Sequence, residues 1–228
     1  QSMTMVQRMS NIFPEIEAGK MISFQGVEIF PLYTSSRSGL EYEVSSNAIE
    51  AGQVSVKEVG EEGTVSSLLL ENAGESQVFF MEGEQLVGGK QNRTLNTSIL
   101  AGAKSNLRIP VSCVERGRWR YRQRGNYSSS GHSLSPEVRR SLRGSVSRSL
   151  DMEAGHSSSQ GQVWDEIDKE HQDLAVFSVS DDIEETCHVY SEKLGEFRKK
   201  LLHPEGAVGL ATSIRGRIVS FDLFDKAS

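Results

Sequence analysis

From Ile22 to Val111 apolar and polar residues alternate in short runs separated by turn residues, the period of half-buried β-strands. Ile22 to Leu32 alternates around Gly26 and predicts two paired strands with a turn or bulge between them. Val44 to Gly52 interrupts the pattern as a short helix, with Ser45 or Ser46 as its cap and Gly52 as its stop. Val54 to Val59 alternates again, and Gly60-Glu61-Glu62-Gly63 follows as a turn. Ser67 to Glu71 and Gln77 to Met81 predict a hairpin closed by Asn72-Ala73-Gly74-Glu75. Leu95 to Leu100 and Leu107 to Val111 complete a meander of the kind that builds sandwiches and barrels.

The period changes after Trp119. Gly125 to Ser135 and Gly155 to Gly161 are Ser/Gly-rich loops without an apolar anchor, expected to be mobile and cut first by protease. Ser135-Pro136-Glu137 opens a helix that runs to Leu150, with a cap, a first-turn proline and an acid that suits the helix dipole. Gln162 to His171 reads as a helix with Val163, Trp164 and Ile167 on one face. Asp181 to Leu202 reads as the longest helix, with Cys187, Tyr190, Leu194, Phe197 and Leu201 at helical spacing. Gly206 to Phe224 is a hairpin with its turn at Arg215-Gly216. Strands, then helices, then a closing hairpin predict an α+β fold: an antiparallel β-rich sandwich or barrel-like sheet, covered by two or three helices, to which the hairpin returns. The expected organisation is a single domain over 21–228, β-rich over 21–124 and helical over 135–202, with the hairpin at 206–224. Residues 1–20 form an arm in which Gln1-Ser2-Met3 reads as a tag remnant.

Composition narrows the class. A chain of 228 residues with 36% hydrophobic residues can bury a sizeable core, and no run approaches the roughly 18 apolar residues of a membrane span. Cys113 and Cys187 are too few for a disulfide framework, so a soluble cytoplasmic protein is expected. Net charge is −6, unevenly spread. Arg116 to Arg148 is basic and Asp151 to Glu185 acidic, which reads as two solvated surfaces that neutralise each other in preference to a polyanion site with a competing intramolecular partner. An acidic protein is a poor nonspecific nucleic-acid binder, so a nucleic-acid partner is not expected.

The chemistry concentrates between Glu82 and Trp119. Gly88-Gly89-Lys90 permits close backbone approach but lacks the spacing of a phosphate-binding loop. Gln91-Asn92-Arg93 adds donors beside that flexible backbone, and Arg93 carries the planar fork that suits phosphate or carboxylate. If the following strand continues, Cys113 and Glu115 face one way and Arg116 and Arg118 the other. Cys113 among basic groups is a candidate nucleophile, although a buried cysteine is more often a small hydrophobe. Glu82, Glu84 and Glu115 could form a carboxylate cluster for Mg²⁺ or Ca²⁺, or for acid–base work. The five histidines show no zinc-like pairing, so a transition-metal site is not expected. Trp119 reads as a core or rim aromatic and Trp164 as a packing residue.

The string EGEQLVGGKQNR, then IPVSCVERGRW, then QVWDEI resembles the family called ADP-ribosylglycohydrolase and rhodanese-phosphatase-superfamily-associated domain. The segments that carry the resemblance are Glu82 to Glu84, Gly88-Gly89, Lys90 to Arg93, Ile109 to Glu115 and Gly117 to Trp119. It extends from the Ile22 strand to the Asp222 strand. The chain stops soon after Phe224, where more sequence is expected, so Lys226-Ala227-Ser228 reads as an altered or truncated end. The resemblance implies work around ADP-ribose, NAD breakdown or sugar phosphates, and brings no residue roles with it. The expected function is binding or processing of a small phosphorylated, nucleotide-derived ligand. Lys90, Arg93, Arg116 and Arg118 would meet the ligand's charge, with Gln91 and Asn92 on its sugar. Glu84 or Glu115 would serve as general base or magnesium ligand. The alternative is a noncatalytic docking or structural domain whose polar motif is a buried network at a homo-oligomer contact.

Overall fold

The computed structural model describes residues 15–36, 39–121 and 125–227. The chain forms two compact units: 41–190, and a unit that joins the described residues up to Leu40 with those from Ser191 onward. The fold is α+β with sheets that are almost wholly antiparallel.

The larger unit is built on a six-stranded antiparallel sheet. Its strands are β5 (Val54–Glu58), β6 (Ser67–Asn72), β8 (Glu84–Val87), β9 (Arg93–Leu95), β11 (Ser105–Cys113) and β12 (Ser128–Ser133), in the order β12-β8-β9-β11-β6-β5. The sheet curls, because the amide of Tyr127, just before β12, donates to the Val56 carbonyl on β5 at the far edge, 2.7 Å away. A smaller three-stranded sheet holds β4 (Tyr42–Val44), β7 (Gln77–Phe80) and β10 (Ile99–Ala101), with β4 parallel to β7. Alternation along the strands does what period-two patterning dictates: Val54, Val56, Leu68, Leu70, Val78 and Phe80 turn inward and join Leu86, Leu95, Ile109 and Val111 in one core. A second core lies among the helices. There α2 (Pro136–Asp151) contributes Val138, Leu142 and Val146, α3 (Gln160–Asp173) contributes Val163 and Ile167, and Val114, Leu134 and Ile183 complete it. Ser135 caps α2 by accepting from the Val138 amide.

The smaller unit is a five-stranded sheet. It comprises β1 (Glu17–Ala18), β2 (Ile22–Phe24), β3 (Val27–Tyr33) and the closing hairpin β13 (Gly209–Ile214) and β14 (Arg217–Leu223). The hairpin returns as expected: β13 lies beside β3 from Gly209↔Leu32 to Ile214↔Val27. Phe197 on α5 (Ser191–Lys200) meets Phe24 edge-on at 5.1 Å.

Four local expectations are corrected. Asn72 to Glu75 does not close a hairpin between β6 and β7, because β5 and β11 already occupy both edges of β6. The Asn72 side chain instead bends the chain away, accepting from the Gly74 amide and donating to the Ser76 and Gly102 carbonyls. The Ser/Gly-rich segment after Gly125 contains β12, paired with β8 and anchored by the buried ring of Tyr127. The helix expected over 181–202 is two, α4 (Glu184–Val189) and α5, with Tyr190 leaving helical geometry between them. Finally, neither Ser45 nor Ser46 caps the short helix α1 (Ser45–Glu50), because Val44 takes the cap position and Ser45 Oγ donates to Glu84.

Candidate functional site

β11 ends at Cys113, and the backbone turns over Val114 to Gly117 instead of continuing as a strand. That turn removes the expected separation of faces. Arg118 folds back onto Glu115 through Nε at 2.8 Å and Nη2 at 2.6 Å, both groups being buried. The rest of the Arg118 fork is satisfied by the Gly88, Gly89 and Arg120 carbonyls and the Asn92 amide oxygen. Glu115 also accepts from the Asn92 backbone amide at 3.0 Å and from Ser180 Oγ at 3.0 Å. Asn92 Nδ2 donates to Asp182 at 2.8 Å, and the Gly117 amide donates to the Ser180 carbonyl. A Cβ on Gly117 would meet the Ser180 backbone at 2.8 Å, so glycine is required for this approach.

A second centre surrounds Arg93, the largest fully buried side chain. Its Nη1 donates to Gln91 Oε1 at 2.9 Å and to the Cys113 sulfur, and its Nη2 lies 4.0 Å from Glu58 Oε1. The Tyr127 hydroxyl donates to the same Glu58 oxygen at 2.7 Å and lies 3.0 Å from the Gln91 carbonyl. The Lys90 amide also reaches Glu58, at 3.0 Å. Gly89 has φ +47, and a Cβ there would run into the Tyr127 ring. The Gly88-Gly89 pair therefore allows the tyrosine to cross the backbone, which is why this segment needs glycine. Two buried atoms in this centre have no hydrogen-bond partner, Arg93 Nε and Glu58 Oε2.

The outer face of the Arg93 centre is aromatic and cationic. Trp119, 46% exposed, lies over the Arg93 guanidinium at 5.4 Å. Lys90 Nζ is 5.5 Å from the Trp119 ring and 5.5 Å from the Tyr121 ring. Its hydrogen bond goes to the Glu62 carbonyl at 2.6 Å, and no carboxylate pairs with it among the described residues. The 118–121 segment is tied to this place by the Arg120 amide, which donates to the Lys90 carbonyl.

The structure thus brings Lys90, Gln91, Asn92, Arg93, Cys113, Glu115 and Arg118 into one contiguous region. Arg116 stands apart: it is exposed, pairs with Asp181 at 2.8 Å and Asp168 at 3.1 Å, and covers the Trp164 ring at 5.8 Å. It joins the region through its backbone only, where its carbonyl accepts from Gln91 Nε2. The three carboxylates considered as a cluster have separate partners. Glu82 takes Arg139 and Arg143, Glu84 takes Ser45 and the Met81 amide, and Glu115 takes Arg118. Sequence reasoning missed Glu58 and Tyr127. The one available signal was Tyr127 itself, a lone aromatic in a Ser/Gly-rich stretch.

Electrostatics limit what these groups can do. Burial pushes the Cys113 thiol up to about 11, outweighing the Arg93 charge beside it, so the thiol stays protonated at neutral pH. Glu115 already accepts from Arg118, Asn92 and Ser180 on its two oxygens. Burial raises Glu84 above its ordinary 4.5, despite hydrogen bonds from Ser45, Met81 and Ser129. The folded state therefore holds the Glu84 proton more tightly than the unfolded chain. Its contribution to stability is fully present below about 4.5 and is lost as pH rises through the folded value. Glu84→Gln should flatten this part of the pH dependence, read as urea midpoints that differ less between about pH 4 and pH 7 than those of the parent.

A curled antiparallel α+β fold with an aromatic and cationic face on a buried ion-pair network is the class to which the chain conforms. The chain belongs to the ARPP-1 family, the ARG and Rhodanese-Phosphatase-superfamily-associated Protein domain, whose family model matches residues 15–228. Neither the curated proteins nor the solved structures include a match to it. Among the described residues no helix is long and apolar enough to cross a membrane.

Proposed function

We propose that this domain binds a small phosphorylated, nucleotide-derived ligand of the ADP-ribose or NAD class on the face formed by Lys90, Trp119 and Tyr121. The observation that carries the reading is the Lys90 ammonium, held between two aromatic rings without a carboxylate partner among the described residues. Arg93, Arg116 and Arg118 are each engaged by acids or by the Cys113 and Gln91 groups, so of these four cations Lys90 is the one left open to a phosphate. Exposed Trp119 offers a flat surface for a base, since stacking on aromatic rings is worth roughly 1–3 kcal/mol per base. Gln91, Asn92, Arg93, Glu115 and Arg118 act as the support that fixes this face. The protonated Cys113 thiol and the occupied Glu115 carboxylate favour binding over turnover. The family description supports the ligand class through the company its name records.

A thermal-shift panel of ADP-ribose, NAD, AMP and ribose 5-phosphate, each with and without Mg²⁺, tests the proposal. A ligand present at about one hundred times its Kd stabilises the native state by about 2.7 kcal/mol, a shift of roughly 5–10 °C in a chain of this size. ADP-ribose should give such a shift, and Lys90→Ala should remove most of it while lowering the unliganded Tm by only a few degrees, roughly the cost of two exposed cation–π contacts. No shift with any member of the panel contradicts the proposal.

A further inference from the structure

We infer that His132, Glu184 and Cys187 form a metal site for a zinc-class divalent ion. His132 comes from β12, and Glu184 and Cys187 come from α4, three residues apart, so they share one helix face. The imidazole nitrogen, a carboxylate oxygen and the sulfur all lie within 4.8 Å of one another. His132 Nδ1 is 2.9 Å from Glu184 Oε1. Glu184 Oε2, the second oxygen of the same carboxylate, is buried without a hydrogen-bond partner. An ordinary histidine–glutamate pair accounts for the first contact but not for the orphaned oxygen. The donor set is chemically selective. Imidazole with thiolate suits zinc, whereas magnesium and calcium take oxygen ligands.

Bond lengths of about 2.0 to 2.3 Å in a tetrahedron separate neighbouring donors by roughly 3.5 Å. A bound metal therefore draws the widest pair in by about 1 Å and opens the His132–Glu184 contact from 2.9 Å, both through side-chain rotation. Three protein donors leave a fourth position for water or a ligand oxygen, the arrangement of open zinc sites and not of closed structural ones. The site is also anchored. Asp182 Oδ1 accepts from the Glu184 amide at 3.2 Å, while its Oδ2 holds Asn92, so one carboxylate joins α4 to the buried network under Lys90. Sequence spacing could not show this, because His132 and Glu184 lie 52 residues apart.

The test uses the full chain, stripped with chelator and titrated with Co²⁺, then with Zn²⁺. The expected result is one Co²⁺ bound per chain, with release of the thiol proton and a thiolate charge-transfer band, followed by displacement of that Co²⁺ by Zn²⁺ with loss of the band. Cys187→Ser should abolish the band. His132→Ala should weaken binding by more than the roughly tenfold that even a lost outer-sphere contact costs. His188→Ala, an exposed histidine on the same helix, should leave the titration unchanged. Circular dichroism establishes that each variant is folded. Failure of the folded parent chain to bind Co²⁺ overturns the inference, and so does an unchanged band in Cys187→Ser or its loss in His188→Ala.

Discussion

Arg118→Ala should destabilise the protein by about 3–5 kcal/mol, the cost of orphaning one member of a buried ion pair. The corresponding fall in Tm is on the order of 10 °C for a chain of this size. The effect is large because Arg118 satisfies Glu115 twice and also serves three backbone carbonyls in the Gly88–Gly89 and Arg120 segments. Its loss leaves Glu115, itself 0% exposed, with a buried charge and fewer donors. Arg116→Ala, two positions away, is the control. Its partners Asp168 and Asp181 are a third or more exposed, so solvent screens the pairs and the loss should stay within about 1 kcal/mol. Urea denaturation of the two variants checks both values, and equal effects would mean that burial does not govern these arginines.

Arg93→Ala should be as severe, about 3–5 kcal/mol, for a different combination of reasons. It opens a cavity under Trp119, removes the cation near Glu58, and leaves Gln91 and Cys113 without their shared donor. Arg93→Lys should recover little of this, because an ammonium cannot reproduce the planar fork that spans Gln91, Cys113 and Glu58. Calorimetric unfolding of the two variants measures the loss. A melting point close to the parent in Arg93→Ala would mean that the residue is poised for a ligand and is not part of the support. The distinction matters because it assigns the fixed framework to Arg93 and the ligand contact to Lys90.

Much of this was legible in the sequence wherever the signal was local. Alternation placed β5, β6 and β7 within a residue or two, and Ser135-Pro136-Glu137 marked the start of α2. The density of polar groups between Glu82 and Trp119 pointed to the region in which Lys90 to Arg93 meet Cys113, Glu115 and Arg118. What could not be read was whatever depends on which strand edges are already taken. Asn72 to Glu75 has good hairpin residues, yet β6 is saturated by β5 and β11. β12 has the composition of a loop and becomes a strand because β8 offers it an edge and Tyr127 anchors it. The strand rule for Cys113 to Arg118 failed at the turn after Cys113, and that turn is what lets Arg118 neutralise Glu115. Glu58 and Tyr127 were missed for the same reason, since their roles exist only once the sheet has curled.

The most direct measurement is the fluorescence of Trp119 during an ADP-ribose titration. The chain has 2 tryptophans, so Trp164→Phe leaves Trp119 as the sole reporter. The account predicts saturable quenching as the base covers the ring, and in the Lys90→Ala background an affinity at least roughly tenfold weaker, the equivalent of about 1.4 kcal/mol. Unaltered Trp119 emission at millimolar ADP-ribose, in protein whose circular dichroism is that of the folded parent, would contradict the assignment of this face as the ligand site.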